Sequence, residues 1–370
     1  MPTAAAHSGE RGVTRAARAT VDTGALRHNL GEVRARAPHS RVMAVIKANA
    51  YGHGLVGCAR ALREADAFAV ARVEEALALR EAGLQNPVVL LEGVLEAAQL
   101  PLAAAHGFEV VVHSREQLEM LEQAQLTEPL QAWLKLDSGM NRLGFRPEAA
   151  RAAADRLAGM RGVKPALRLM THLSCADERN REVTEMQLTR FGETLDGVPG
   201  ERSIANSAGL LWREDSHADW VRPGLMLYGV SPFAGETGEA LGLRPAMGLM
   251  STVIALRDVP RGERVGYGGV WTAREDSRVA IAAIGYGDGY PRSLGSGTPV
   301  RVRGQRVPLA GRISMDMIAV DVTTVPATRV GDEVVLWGGG LPVEELAAIA
   351  GTIPYELLCG VTQRVGVTMS

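Results

Sequence analysis

The stretch Arg41–Gly57, RVMAVIKANAYGHGLVG, decides between two folds. It opens on an apolar run, reaches Lys47, and passes into small and glycine-rich residues. Its last six residues, Gly52-His53-Gly54-Leu55-Val56-Gly57, spell G-x-G-x-x-G. As a phosphate-cradling fingerprint it would open a doubly wound dinucleotide-binding sheet, with Glu74 or Glu75 as the acid expected about 20 residues on. That reading makes the chain an NAD-dependent oxidoreductase. Against it, the first glycine lies five residues past Lys47 rather than tight against the strand, and a lone match is weak in a chain with 42 glycines.

Read instead as a strand ending at Lys47, the stretch is the first of a series. Apolar runs at 41–48, 67–72, 87–93, 108–114, 131–138, 166–174, 202–208 and 219–229 predict eight strands. Most are continuously apolar, as parallel strands buried on both faces should be. Helical patterns at 73–83, 115–125 and 182–195 lie between them. A further helix is expected over 23–37, with Thr23 as its cap. Eight β/α units fit an eight-stranded (β/α) TIM-type barrel. A doubly wound sheet more often stops near six strands. From Met247 onward short β-like runs alternate with Gly, Pro and Asp, at 247–259, 277–285, 298–311, 317–323 and 332–339. One helix is expected at 343–351. The division expected is a leader over 1–18, a barrel over 19–242 and a mainly β C-terminal domain over 243–370.

A length of 370 residues accommodates two or three domains. A net charge of -2 points neither to nucleic acid nor to a membrane. The first residues lack the apolar segment of a secretory signal. The three cysteines, Cys58, Cys175 and Cys359, are scattered and form no C-x-x-C pair. A reducing, cytoplasmic setting is the expectation.

Lys47 at a strand end stands where barrels carry catalytic groups. Apolar Val45 and Ile46 behind it favour a desolvated amine able to do imine chemistry; a lysine merely reaching for solvent is the plain alternative. In WLKLDSGMNRLGF (133–145), Arg142 follows a turn and offers a planar fork to a carboxylate, or joins a structural ion pair with its neighbours. His172, Cys175 and Asp177 lack the spacing of a metal set. Ser207 in IANSAG and Gly224-Leu225 after Arg222 fall in the two last strand-to-helix loops, where barrels commonly bind phosphate. In the β domain VGYGG, AIGYGDGYPR, GRISMDM and IPYELLC stand out; a tyrosine beside glycine suggests an exposed phenol, with ordinary hairpin turns as the plain alternative.

Together these segments resemble alanine racemases, PLP-dependent enzymes of fold type III. The resemblance runs from about residue 20 to 365 and is carried, in the family's order, by AVIKANAYGHG, KLDSGMNRLGF, THLSCAD, NSAG, RPGLMLYG, GYGG, GYGDGYPR, GRISMDM and PYELLC. It implies that Lys47 carries pyridoxal 5'-phosphate, that Tyr51, Ser207, Gly224, Leu225 and Tyr355 hold the phosphate, and that Arg222 faces the pyridine nitrogen. It implies two bases, Lys47 acting on the D-enantiomer and Tyr267 on the L-enantiomer, the tyrosine supported by His172 and Arg222. Arg142 and the backbone at Met315 should bind the substrate carboxylate, with Lys135, often carbamylated in the family, positioning the arginine. Tyr286, Arg292, Arg312 and Ile353 match the entry passage. A homodimer with active sites shared between subunits is implied, as is D-alanine supply for peptidoglycan. A broader amino-acid or serine racemase of the same fold is the neighbouring alternative. The chain departs from the family's usual residues at Gly287 (Ala), Asn141 (Gly), Leu173 (Phe) and Cys175 (a small residue), and the segment after Cys359 is looser.

Overall fold

The computed structural model describes residues 16–370. Eight parallel strands close into a barrel: β2 (Arg41–Val45), β3 (Ala67–Val70), β4 (Val88–Leu90), β5 (Phe108–Val112), β6 (Ala132–Lys135), β7 (Arg168–Met170), β8 (Glu201–Ser203) and β9 (Trp220–Val221). β9 returns to β2 through Arg41↔Trp220 and Val42↔Val221. Seven of the eight strands lie inside the runs read from the sequence, and β8 begins one residue before its run, at Glu201. β3, β4, β5 and β6 are buried along their whole length, because helices cover the outside and side chains fill the inside. The first helix, Thr23–Arg36, is capped by Asp22, not Thr23: the Asp22 carboxylate accepts from the Ala25 amide at 3.0 Å.

The N-terminal rim of the barrel is closed by ion pairs between indoles. Arg168, the first residue of β7, donates to both oxygens of Glu109 at 2.7 and 2.6 Å and reaches Glu201 at 2.9 Å. Its guanidinium stacks 5.3 Å from the Trp133 ring and 5.1 Å from the Trp220 ring. The two indole N–H groups donate to Glu109 and Glu201. Arg41 also lies over the Trp220 ring, at 4.2 Å, and pairs with Glu201.

The second unit is built on β10 (Met247–Val259), the longest strand. It pairs antiparallel with β13 (Ser277–Ala282) and β17 (Glu333–Trp337), and the sheet extends through β14 (Pro299–Val302), β15 (Gln305–Pro308) and β16 (Ile318–Asp321). A two-stranded ribbon, β11 (Arg264–Val265) with β12 (Trp271–Thr272), projects beside it. The expected helix appears as Val343–Ala350.

One boundary differs from the sequence reading. Residues 19–21, assigned there to the barrel, belong to β1 (Arg18–Val21), which pairs antiparallel with β10 and parallel with β18 (Gly366–Met369). Of the leader expected over 1–18, residues 1–15 lie outside the described residues, Ala17 is buried and Arg18 opens β1. Both strands have four residues and find their partners far along the chain, so no local pattern announces them. Among the described residues no helix is long and apolar enough to cross a membrane.

Candidate active site

β2 ends at Val45, and Ile46 brings the chain to Lys47 at the C-terminal mouth of the barrel. The backbone then does something unusual. Ala48, Asn49, Ala50 and Tyr51 all have φ between 52° and 55°, a left-handed turn built without glycine. Such a conformation costs roughly 1–2 kcal/mol per residue and persists only where its surroundings over-determine it. Asn49 ties the turn down: its side-chain oxygen accepts from the Leu55 amide at 2.8 Å, and its amide donates to Glu75 at 3.3 Å. His53 Nδ1 bonds the carbonyls of Ala50 and Tyr51 at 3.0 and 2.9 Å.

Cationic residues gather around Lys47. Lys135 is the last residue of β6 and His172 follows β7. Arg222, buried, follows β9 and donates to Ser203 Oγ at 2.6 Å and to the carbonyls of Thr171 and Ile204 at 2.5 and 3.1 Å. Its Nη2 lies 3.4 Å from His172 Nδ1. Burial lowers the Arg222 pKa to about 10, which leaves it protonated at neutral pH. Burial, then Arg222, Lys135, Arg142 and Lys47, hold His172 well below the usual imidazole range. The ring is therefore neutral. Because Arg222 is only a donor, the His172 proton sits on Nε2, the nitrogen turned away from it. Burial, with Arg222, Arg142 and Lys47, lowers Lys135 to about 8. Among the described residues no group of three or more His, Cys, Asp or Glu is gathered to hold a metal.

A second cluster adjoins the first. Ser207 Oγ accepts from the amides of Gly224 at 2.9 Å and Met226 at 3.3 Å, which draws two late barrel loops together. A Cβ at residue 224 would lie 2.5 Å from the Tyr51 hydroxyl, so glycine there lets the phenol approach the loop. The Tyr51 ring packs 4.9 Å from Tyr228 and 5.7 Å from Tyr355. Burial pushes the Tyr51 phenol up, and that of Tyr355 to about 12, so both are neutral hydrogen-bonding groups. Leu225, fully buried, opens the turn after Gly224. Chemically, this is a lysine amine beside a cation-rich pocket and a loop of hydroxyls and backbone N–H groups suited to an anion.

The remaining candidates, Arg142 apart, lie on the C-terminal unit. Tyr267, in a turn after β11, is 65% exposed, and Met315 is 52% exposed. Arg292 donates to the Ile313 carbonyl at 2.8 Å and lies over the Tyr286 ring, while the Gly287 amide donates to the Met315 carbonyl. Arg312 approaches Gly268, next to Tyr267. Ile353, exposed, precedes the short helix that carries Tyr355. Arg142 is exposed at the barrel mouth.

Two departures from the resembling family have local reasons. Asn141 sits at φ 57°, a conformation asparagine tolerates better than most residues, and its side-chain oxygen accepts from Arg146. A Cβ at residue 287 would lie 2.3 Å from Arg364 Nη1; Arg364 bridges Asp288 and Asp316 at 3.3 and 2.7 Å. The sequence reading passed over Tyr228, Thr171 and Ser203. Tyr228 packs tilted against Tyr51, stacks on His53 and donates to the Val45 carbonyl at 3.1 Å. Its place beside Gly229 in RPGLMLYG was the available signal.

The glycines of 52–57 serve packing. A Cβ at Gly52 would meet the Leu358 carbonyl oxygen at 2.1 Å, and one at Gly57 would meet the Met369 methyl at 2.0 Å. With eight barrel strands in place of a doubly wound sheet, the dinucleotide reading falls.

Family models for the N-terminal and C-terminal domains of alanine racemase match residues 21–232 and 246–369. The alanine racemase of Vibrio atlanticus is 52% identical over 95% of this chain and 98% of its own length. That of Edwardsiella ictaluri is 52% identical over 95% and 97%. Among solved structures, the biosynthetic alanine racemase of Pseudomonas aeruginosa superposes with a TM-score of 0.93 at 49% identity, covering 96% of this chain and all of that one. An alanine racemase from Bartonella henselae, solved with covalently bound pyridoxal phosphate, superposes at 0.85 with 29% identity, covering 96% of this chain and 99% of that one. Matched over both units and nearly its whole length, the chain belongs to the alanine racemase family.

Proposed function

We propose that this chain interconverts L- and D-alanine with pyridoxal 5'-phosphate held on Lys47, as a cytoplasmic homodimer supplying D-alanine for peptidoglycan. The observation that carries the reading is the meeting of Lys47, Arg222 and the Ser207–Gly224 loop at one end of the barrel. The donor set fits the cofactor: a lysine amine for its aldehyde, buried Arg222 for its ring nitrogen, and Tyr51, Ser207, Gly224, Leu225 and Tyr355 for its phosphate. When bound, PLP supplies the electron withdrawal that lets an α-proton leave.

Inverting a centre requires a proton taken from one face and returned to the other, so two bases are needed. Lys47 serves one face. Tyr267 of the partner subunit serves the other, a role consistent with its exposure on the single chain. A neutral His172, its tautomer fixed by Arg222, offers its Nε2–H to the tyrosine oxygen. Arg142 and the backbone at the partner's Met315 bind the substrate carboxylate. Tyr286, Arg292, Arg312 and Ile353 line the approach.

The test is direct. Purified protein should carry the absorbance of lysine-bound PLP, lose that band on borohydride reduction, and racemise L-alanine faster than any other L-amino acid in a panel. Absence of the band sinks the reading; equal rates on serine favour the broader racemase.

Lys135 gives a second expected result. Its amine, with a pKa of about 8, is substantially neutral near that pH, and a neutral amine adds CO2 with loss of one proton. The carbamate so formed is an anion among cations, placed to hold Arg142. Its formation is favoured as pH rises through about 8 and lost as pH falls. Activity should drop in CO2-depleted buffer and return with bicarbonate, and Lys135→Ala should be insensitive to both. An NMR signal from isotopically labelled bicarbonate, absent in Lys135→Ala, checks the adduct.

A further inference from the structure

The turn that carries Lys47 is strained, and part of what seats it comes from the other unit. Helix Leu55–Ala61 begins three residues after the left-handed turn and contains Gly57. Glycine inside a helix is less favourable than alanine, so its presence asks for a reason in packing. The reason is Met369 on β18: a Cβ at residue 57 would lie 2.0 Å from its methyl carbon and 2.9 Å from its sulfur. The same methyl carbon lies 3.3 Å from where a Gly54 Cβ would stand, with Val367 at 3.8 Å. Gly52, at the end of the turn, is pressed against the Leu358 carbonyl. All three glycines of the 52–57 motif thus meet the 358–369 segment. β18 is itself fixed by its pairing with β1, and just beyond the strands Ser370 N donates to the Val21 carbonyl at 2.9 Å and Thr23 N to the Ser370 carbonyl at 3.0 Å.

We propose that Met369 is a positioning residue for Lys47: its side chain, seated on Gly54 and Gly57, locks helix Leu55–Ala61 and so fixes the strained turn that aims the amine. The proposal rests on Lys47 being the PLP-bearing lysine. Met369 touches neither cofactor nor substrate. It acts through the helix, as a flexible thioether, 39% exposed, laid over a glycine-lined face.

The experiment is a double-mutant cycle on the holoenzyme, with Gly57→Ala, Met369→Ala and the pair combined. Readouts are kcat and KM separately, the pH titration of the cofactor absorbance, and PLP retention on dialysis. Gly57→Ala should lower kcat about tenfold with little change in KM, and should shift the absorbance titration. Met369→Ala should do so more weakly. The combined variant should recover most of the loss, since the added methyl then has room; contacting residues couple to this extent in such cycles. Met369→Leu should behave as wild type. Additive losses overturn the proposal, as does a lowered melting temperature with kcat and the absorbance titration unchanged, which would mark mere packing. If Gly57→Ala does not fold, Met369→Ala against Met369→Leu decides on the same readouts. Wild-type protein without the PLP band would instead count against the function proposed above, so the two failures are distinct.

Discussion

In deuterated water, Tyr267→Phe is expected to lose α-proton exchange from L-alanine by about 10²–10⁴-fold, the usual contribution of a positioned acid–base group, while exchange from D-alanine persists. The substitution removes one oxygen and keeps the ring. It leaves Lys47, the neutral His172 and the buried Arg222 where they are, because Tyr267 stands in a separate turn of the β unit. The face served by Lys47 therefore still exchanges its proton with solvent. Net racemisation stops in both directions, since the return step lacks its donor. Binding should change little, so KM for either enantiomer stays close to wild type. Proton NMR of each enantiomer separately is the measurement. Equal loss of exchange from both enantiomers would refute the assignment of one base to each face.

The second large effect concerns the other end of the barrel. Arg168→Met is expected to cost about 3–5 kcal/mol of stability, the loss typical of breaking a buried ion pair on one side. Methionine approximates the length of the arginine stem between Trp133 and Trp220 but leaves Glu109, 8% exposed, without its bidentate partner. Glu201 loses one of its two arginines and keeps Arg41. The residue lies at the start of β7, opposite the mouth, so kcat of the folded protein should be preserved. Guanidinium unfolding of wild type and variant, with activity measured before denaturation, separates the two. A loss below about 1 kcal/mol would mean that the rim behaves as an exposed ion pair.

The barrel was legible because parallel strands covered on both sides are mostly apolar, and most of the eight runs stand out from the helices between them, β8 with its Glu201-Arg202-Ser203 being the least apolar. Strand ends were less legible: the run 41–48 continued past Val45 because Ile46 is as apolar as the strand before it. The left-handed turn after Lys47 was invisible, since Ala48 and Ala50 have no local preference for it and only tertiary contacts hold them there. Lys47 stood out as a strand-end lysine, but the roles proposed for it, Arg222 and Tyr267 came through family resemblance, not pattern. The cationic company of Lys135 was not legible at all. It arises from three separate strand ends, those of β2, β6 and β9, meeting at one mouth, a product of closure rather than of any one segment.

β1 lies between β10 and β18, so the earliest-made strand of the described chain fills an interior place in a sheet whose other members are made last. At roughly 5–20 residues per second of synthesis, Arg18–Val21 waits on the order of tens of seconds for its parallel neighbour. During that interval the barrel can close behind it while β1 keeps both edges unpaired. Translation speed and chaperone access then become determinants of yield, and a cut that releases residues 18–21 would unmake the sheet at the opposite end of the chain.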